Sequence, residues 1–171
     1  MTSREAILDA VRSLAVEQHA VPALDAVATA AGVSKGGLMH HFRSRAALVD
    51  GLVERELQRV DEAMVAAAEQ RRVVRTWLDL STPDSADIEL YRSMSVLLLA
   101  LSSGQSSMPG QVADALRRWD RALADEVGDP TAALVIRLVG DGLLMNSLSG
   151  TPLAADATAA VKAHLLTRHD R

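Results

Sequence analysis

Apolar residues recur along most of this chain at spacings of three and four, and nowhere do they alternate with polar ones over a useful length. Ile7, Val11 and Leu14, flanked by Leu8 and Ala15, share one face of a helix over about 3–16. Leu24, Val27, Ala28 and Ala31 do the same over 23–31, after Pro22 and with Asp25 near the positive helix end. Gly32 then stands where a left-handed residue is wanted. Ser34 suits the N-cap of a third helix reaching about His41, with Leu38 and Phe42 pointing inward. Val49, Val53, Leu57, Val60 and Met64, widened by Leu48 and Leu52, predict a long helix over 45–71 capped by Ser44, with a break near Ala66 as the alternative. Further stripes predict helices over 73–80, 86–101, 112–127, 131–148 and 154–168. Ser81-Thr82-Pro83-Asp84, a loop over 102–110, Gly128-Asp129-Pro130 and Ser149-Gly150-Thr151-Pro152 separate them. The fold class is therefore all-α, with about nine helices.

One spacing is more specific than the rest. A helix-turn-helix needs a small residue where two helices cross, a glycine four positions later and an aliphatic residue six beyond that. Ala28, Gly32 and Leu38 meet all three conditions, against the plainer reading of an ordinary helical hairpin. This divides the chain into a DNA-binding head over 1–47, with its recognition helix at about 34–41, and a helical body over 48–171, to which the family resemblance given below assigns ligand binding and dimerisation.

Charge distribution agrees with that division, although the formal net charge is -4. Residues 1–50 hold five basic and five acidic side chains, so the deficit lies in the body. No acid occurs between Asp25 and Asp50, a window that holds Lys35, Arg43 and Arg45 with His40 and His41. Ser34 and the amides of Lys35 and Gly36 open a helix, where unpaired N–H groups favour an anion. Gly36 and Gly37 each cost about 1 kcal/mol in helix propensity, and in return let the backbone approach a duplex. Lys35, His40, His41 and Arg45 are candidate phosphate or base ligands, and Met39 offers apolar contact to a thymine methyl. His41 has an equal second reading as a buried residue beside Phe42.

The body carries two further expectations. The segment 131–148 is apolar on nearly every face, so it must be covered on more than one side. Gly140, Gly142 and the alanines 157, 160 and 163 permit close helix approach, which predicts a two-fold dimer through the last two helices, the alternative being a central helix of a monomer. Its interface would use Leu138, Asp141, Gly142, Met145, Ala157, Val161 and His164. Candidates for a small apolar pocket are Met64, Trp77, Tyr91, Met94, Leu98 and Trp119, residues whose helical spacing suits plain core equally.

Other chemistry finds little support. The five histidines form no metal-ligating or nucleophilic arrangement, and no phosphate loop or dinucleotide fingerprint occurs, so neither an enzyme nor a metal or other cofactor is expected. The chain has no cysteine, which fits the cytoplasm. No uninterrupted apolar run is longer than that from Val96 to Leu101, which is too short to span a bilayer, and no membrane partner is expected.

The segment Leu24-Asp25-Ala26-Val27-Ala28, Ala31 to Leu38, His41-Phe42 and Ser44 resembles the TetR-type bacterial transcriptional regulators, over about 4–52. Gly140-Asp141-Gly142-Leu143-Leu144-Met145 and Leu148-Ser149-Gly150 are similar to the penultimate helix of many such proteins. The resemblance implies a homodimer with a three-helix DNA head, a body that holds a small-molecule effector, and a four-helix interface. It also implies binding to a palindromic operator, with repression the family's commoner habit. Two departures stand out: Met39 occupies a position where the family often has Tyr, and Ala23 one where it usually has Thr or Ser. They keep open a second reading, an interaction protein of the same shape with weak or lost DNA binding.

Overall fold

The computed structural model describes residues 3–18, 22–85, 87–88, 91 and 108–169. Among them are eight helices and no strand: α1 (Ser3–Gln18), α2 (Leu24–Ala30), α3 (Lys35–His41), α4 (Arg45–Glu69), α5 (Val73–Leu80), α6 (Met108–Val127), α7 (Pro130–Leu148) and α8 (Ala155–His169). The remaining expected helix, over 86–101, lies largely outside the described residues; Asp87, Ile88 and Tyr91 within it are helical. The chain forms two compact units, Met1–Glu56 with Ser85–Gln111 and Leu57–Asp84 with Val112–Arg171.

In the first unit α1, α2 and α3 pack on one another around Ile7, Leu8, Val11, Val27, Leu38 and Phe42, joined by Leu48 and Leu52 of α4. Gly51 faces this core so closely that a Cβ there would lie 2.6 Å from Phe42 Cε1. In the second unit Met64 of α4, Val74, Trp77 and Leu78 of α5, Trp119 and Leu123 of α6, Ile136 of α7 and Leu165 of α8 share one core.

The helix ends follow local chemistry. Ser34 Oγ accepts from the Gly37 amide at 3.0 Å and Ser44 Oγ from Ala47 at 3.0 Å, so both predicted caps form. Asp129 caps α7 through the amides of Thr131 and Ala132, with Pro130 at the first helical position. The start of α5 is satisfied from a distance: Glu126 of α6 accepts from the Val73 and Val74 amides at 2.7 and 3.0 Å. Helix α4 continues through Ala66 without a break to Glu69, about 37 Å at 1.5 Å per residue. Helix α6 begins at Met108, inside the stretch expected as loop. Pro109 falls in its first turn, where a missing N–H costs nothing, so a proline that reads as a stop is part of a start.

Three helices end in one pattern, in which the residue after a left-handed position bonds five residues back. Val33 N to Ala28 O closes α2 at 3.0 Å around Gly32 (φ 67°), and Thr151 N to Asn146 O closes α7 at 2.9 Å around Gly150 (φ 76°). Arg72 N to Ala67 O closes α4 at 2.9 Å, but here the left-handed residue is Arg71 (φ 51°). Among the described residues Arg71 alone adopts positive φ without being glycine.

Candidate nucleic-acid interface

Helix α3 is held from beneath by Leu38, which is fully buried, and by Phe42 just past its end. Arg4 of α1 lies over the Phe42 ring at 5.5 Å. The helical repeat then sends Gly36 and His40 to the opposite side, with Lys35 and Met39 on one flank and His41 on the other. All five are exposed, and Gly37 is half-buried. His41 is therefore not the core residue allowed as its second reading: its ring meets that of His40 edge-on, 5.4 Å between centroids. Arg45 follows on the first turn of α4, exposed as well.

One electrostatic expectation fails. Lys35 was expected to stand without an opposing acid, yet its Nζ lies 2.9 Å from Asp25 Oδ1 of α2. The window is empty of acids only in sequence, because the turn at Gly32 folds the beginning of α2 back toward that of α3. Lys35 and Asp25 are 70% and 73% exposed, so the pair is worth about 1 kcal/mol or less and yields readily to a phosphate. Asp25 is the residue missed by the linear reading; its helix-turn-helix setting is the signal that would have found it. Ala23 gives α2 no side-chain cap, as its identity implies.

Of the pocket candidates, three lie in the second unit, one in the first and two outside the described residues. Met64, Trp77 and Trp119 are buried in the core of the second unit, the two indoles 6.0 Å apart. Trp119 Nε1 donates to Asp61 at 2.6 Å, while Trp77 Nε1 has no acceptor among the described residues. Tyr91 packs against the core of the first unit, and Met94 and Leu98 lie outside the described residues. A cleft of about 420 Å³ occurs instead where α4 ends and α5 begins, beside α6. Its charged walls are Arg71, Arg118, Arg121, Asp125 and Glu126, none of them singled out from sequence.

Helix α7 has two distinct faces. Ala133, Ile136, Gly140 and Leu143 are buried in the second unit's core. Gly140, expected to ease approach between subunits, serves a contact inside one: a Cβ there would lie 2.1 Å from Trp77 Nε1 and 2.6 Å from Ser81 Oγ. Leu134, Leu138 and Met145 on the other face are 55%, 59% and 61% exposed, with Gly142 open between them. Asp141 pairs with Arg137 one turn earlier. Arg137 in turn lies 5.1 Å above the Trp77 ring and 3.2 Å from Asp120, the latter without hydrogen-bond alignment. On α8, Ala157 and His164 are exposed, whereas Val161 packs partly on its own core. Lys162 ties α8 to Asp79 at 3.0 Å and Thr82 at 2.6 Å. By length and composition α7 would also suit a membrane span, which a search for uninterrupted apolar runs overlooks; only 33% of it is buried, and the Arg137–Asp141 pair sits at its middle.

Comparison with known proteins bears on both units. The family model described as bacterial regulatory proteins of the tetR family matches residues 7–52. The model described as the tetracyclin repressor-like C-terminal domain matches residues 71–170. No curated protein matches the chain. Among solved structures, a member of the TetR family from Streptomyces coelicolor A3 superposes with a TM-score of 0.67 at 22% identity, covering 96% of this chain and 98% of that one. A Rhodococcus protein, described as belonging to the TetR family of transcriptional regulators, does so with a TM-score of 0.64 at 20% identity, covering 98% and 97%. At such identities these neighbours speak for the fold, and the matched family models speak for the lineage. The chain belongs to the TetR family of bacterial transcriptional regulators, DNA-binding proteins rather than enzymes.

Proposed function

We propose that this chain is a homodimeric, ligand-responsive repressor that binds a palindromic operator in double-stranded DNA and leaves it when a small effector binds the body. Residues 1–47 would read the DNA, and 48–171 would hold the effector and the second subunit. The observation that carries the reading is the outer face of α3. Its buried residues, Leu38 and Phe42, fix its position, while Lys35, Gly36, Met39 and His40 are turned outward and no bulky side chain stands at 36 or 37.

In that reading Ser34, through its exposed end of α3, and the amides of Lys35 and Gly36 meet a phosphate, supported by the Lys35 ammonium and by Arg45. Gly36 and Gly37 let the helix backbone come close to the groove floor. Met39, His40 and His41 then face base edges or the neighbouring backbone. Such contacts release counterions, so affinity falls steeply with salt. Two heads related by a two-fold axis would meet half-sites about one turn apart, or slightly more. An effector that fits only one arrangement of the body shifts the population away from the binding form, with α4 as the connecting rod.

Dimerisation is supported by the apolar outer face of α7, where Leu134, Leu138 and Met145 stand exposed around Gly142. The Arg137–Asp141 pair at the middle of α7 favours a cytoplasmic protein whose apolar helix is covered by a second copy rather than by lipid. The test is a fluorescence-anisotropy titration with DNA from upstream of the protein's own gene, at two salt concentrations. Saturable binding that weakens as salt rises is the expected result. Binding indifferent to salt and to sequence, or none, favours the interaction-protein reading that Met39 and Ala23 keep open.

A further inference from the structure

The cleft beside α6 holds opposite charges that do not meet. Arg71 and Arg121 have no acidic partner among the described residues; Arg121 Nε donates only to the Arg117 carbonyl, at 3.2 Å. Asp125, on the same cleft, has no basic partner among them either. The remaining charges are committed elsewhere: both Glu126 oxygens are taken by the start of α5, and Arg118 is held by Asp61. Donating to the Asp61 carboxylate keeps the Arg118 guanidinium more firmly protonated than usual. Ala68, Val73 and Ala122 give the cleft an apolar portion.

Arg71 adds an independent sign. Two other helices end in the same hydrogen-bond pattern, and both use glycine at the left-handed position. An L-residue with a side chain is disfavoured there. A local rule kept twice in one chain and broken once puts a guanidinium, where glycine would fit more easily, at the lip of the cleft.

We propose that this cleft binds a small zwitterion of the α-amino-acid type, its carboxylate on Arg71 and Arg121, its ammonium on Asp125 and its aliphatic part against Val73. A guanidinium fork suits a carboxylate in two-point contact, and 420 Å³ is within the range of small-molecule sites. A simple anion would leave Asp125 unanswered, and a simple cation would leave both arginines so. The inference rests on the ligand-responsive reading above by supplying the chemical class of its effector.

Calorimetry of the full chain without DNA, against the twenty standard L-amino acids, tests the site. At least one should bind saturably. Arg121→Gln and Asp125→Asn should each weaken that binding about tenfold or more, and Arg75→Gln, an exposed arginine outside the cleft, should not. Arg71→Gly should weaken it too while melting no earlier than the native chain, which separates loss of the ligand from loss of the fold. No saturable binding, or binding unaffected by Arg121→Gln and Asp125→Asn, overturns the proposal. Binding of the matching carboxylic acid that strengthens in Asp125→Asn overturns the zwitterion and leaves a plain anion site. Operator binding measured without amino acid is unaffected by any of these results, so its failure would count against the regulator reading alone.

Discussion

Helices α3 and α7 each bury one face and leave the other open, yet the open faces have opposite chemistry. That of α3 carries glycine, lysine and two histidines; that of α7 carries leucine, valine and methionine around a glycine. Water satisfies the first at no cost, whereas the second stays favourable only when something apolar covers it. The contrast teaches how to read an uncovered surface: on the proposed reading, α3 meets a hydrated, charged polymer and α7 a copy of itself. Glycine makes the same point. At 142 an added Cβ would meet nothing and at 36 only the Ser34 hydroxyl at 3.9 Å, whereas at 51 and 140 glycine admits an aromatic ring that any side chain would strike.

The largest effect should come from charging the apolar face. Leu138→Glu buries an unpaired carboxylate if that face is an interface, a cost of several kcal/mol. Light scattering should then find monomers at concentrations where the native chain is dimeric; an unchanged mass would remove α7 from the interface. Next in size is a pair of substitutions that separates the two kinds of glycine. Gly140→Ala forces Trp77 and Ser81 apart and should lower unfolding stability by about 1–3 kcal/mol. Gly142→Ala meets nothing within its own subunit, so urea unfolding of the subunit should be unchanged or slightly improved, with any loss confined to dimer dissociation.

Smaller effects sharpen the α3 side. Lys35→Ala and Arg45→Ala should each weaken operator binding across sequences and flatten the log–log salt dependence by about one. Indifference to both would remove this end of α3 from the phosphates. The smallest change has the opposite sign: Asp25→Asn frees Lys35 from an exposed pair worth about 1 kcal/mol or less. It should tighten DNA binding a few-fold, more on random DNA than on the operator, and a loss of affinity would mean that Asp25 orients Lys35 instead of restraining it.

Much of the head was legible because its signals are local. Ser34 and Ser44 cap the helices they precede, Gly32 turns where the spacing from Ala28 to Leu38 requires it, and Leu38 and Phe42 lie in the core. The candidate DNA face follows from the same register. Its electrostatics did not follow, since the acid that meets Lys35 is ten positions away along the chain and adjacent only once α2 and α3 are folded together. In the body, aromatic and methionine residues at helical spacing fit a pocket wall and a packed core equally well in one dimension. Met64, Trp77 and Trp119 proved to be core, and the cleft is walled by arginines that no periodicity distinguishes.

By itself, then, the sequence determined what depends on neighbours three to six residues apart: helices, caps, the turn at Gly32 and the family. The tertiary structure alone decided which charges meet, that Gly140 makes room for Trp77, which face of α7 is buried, that Glu126 completes the start of α5, and where a cleft is left. Helix geometry is written in short-range spacing, while contacts between helices depend on the packing of side chains from distant segments, which no local pattern encodes.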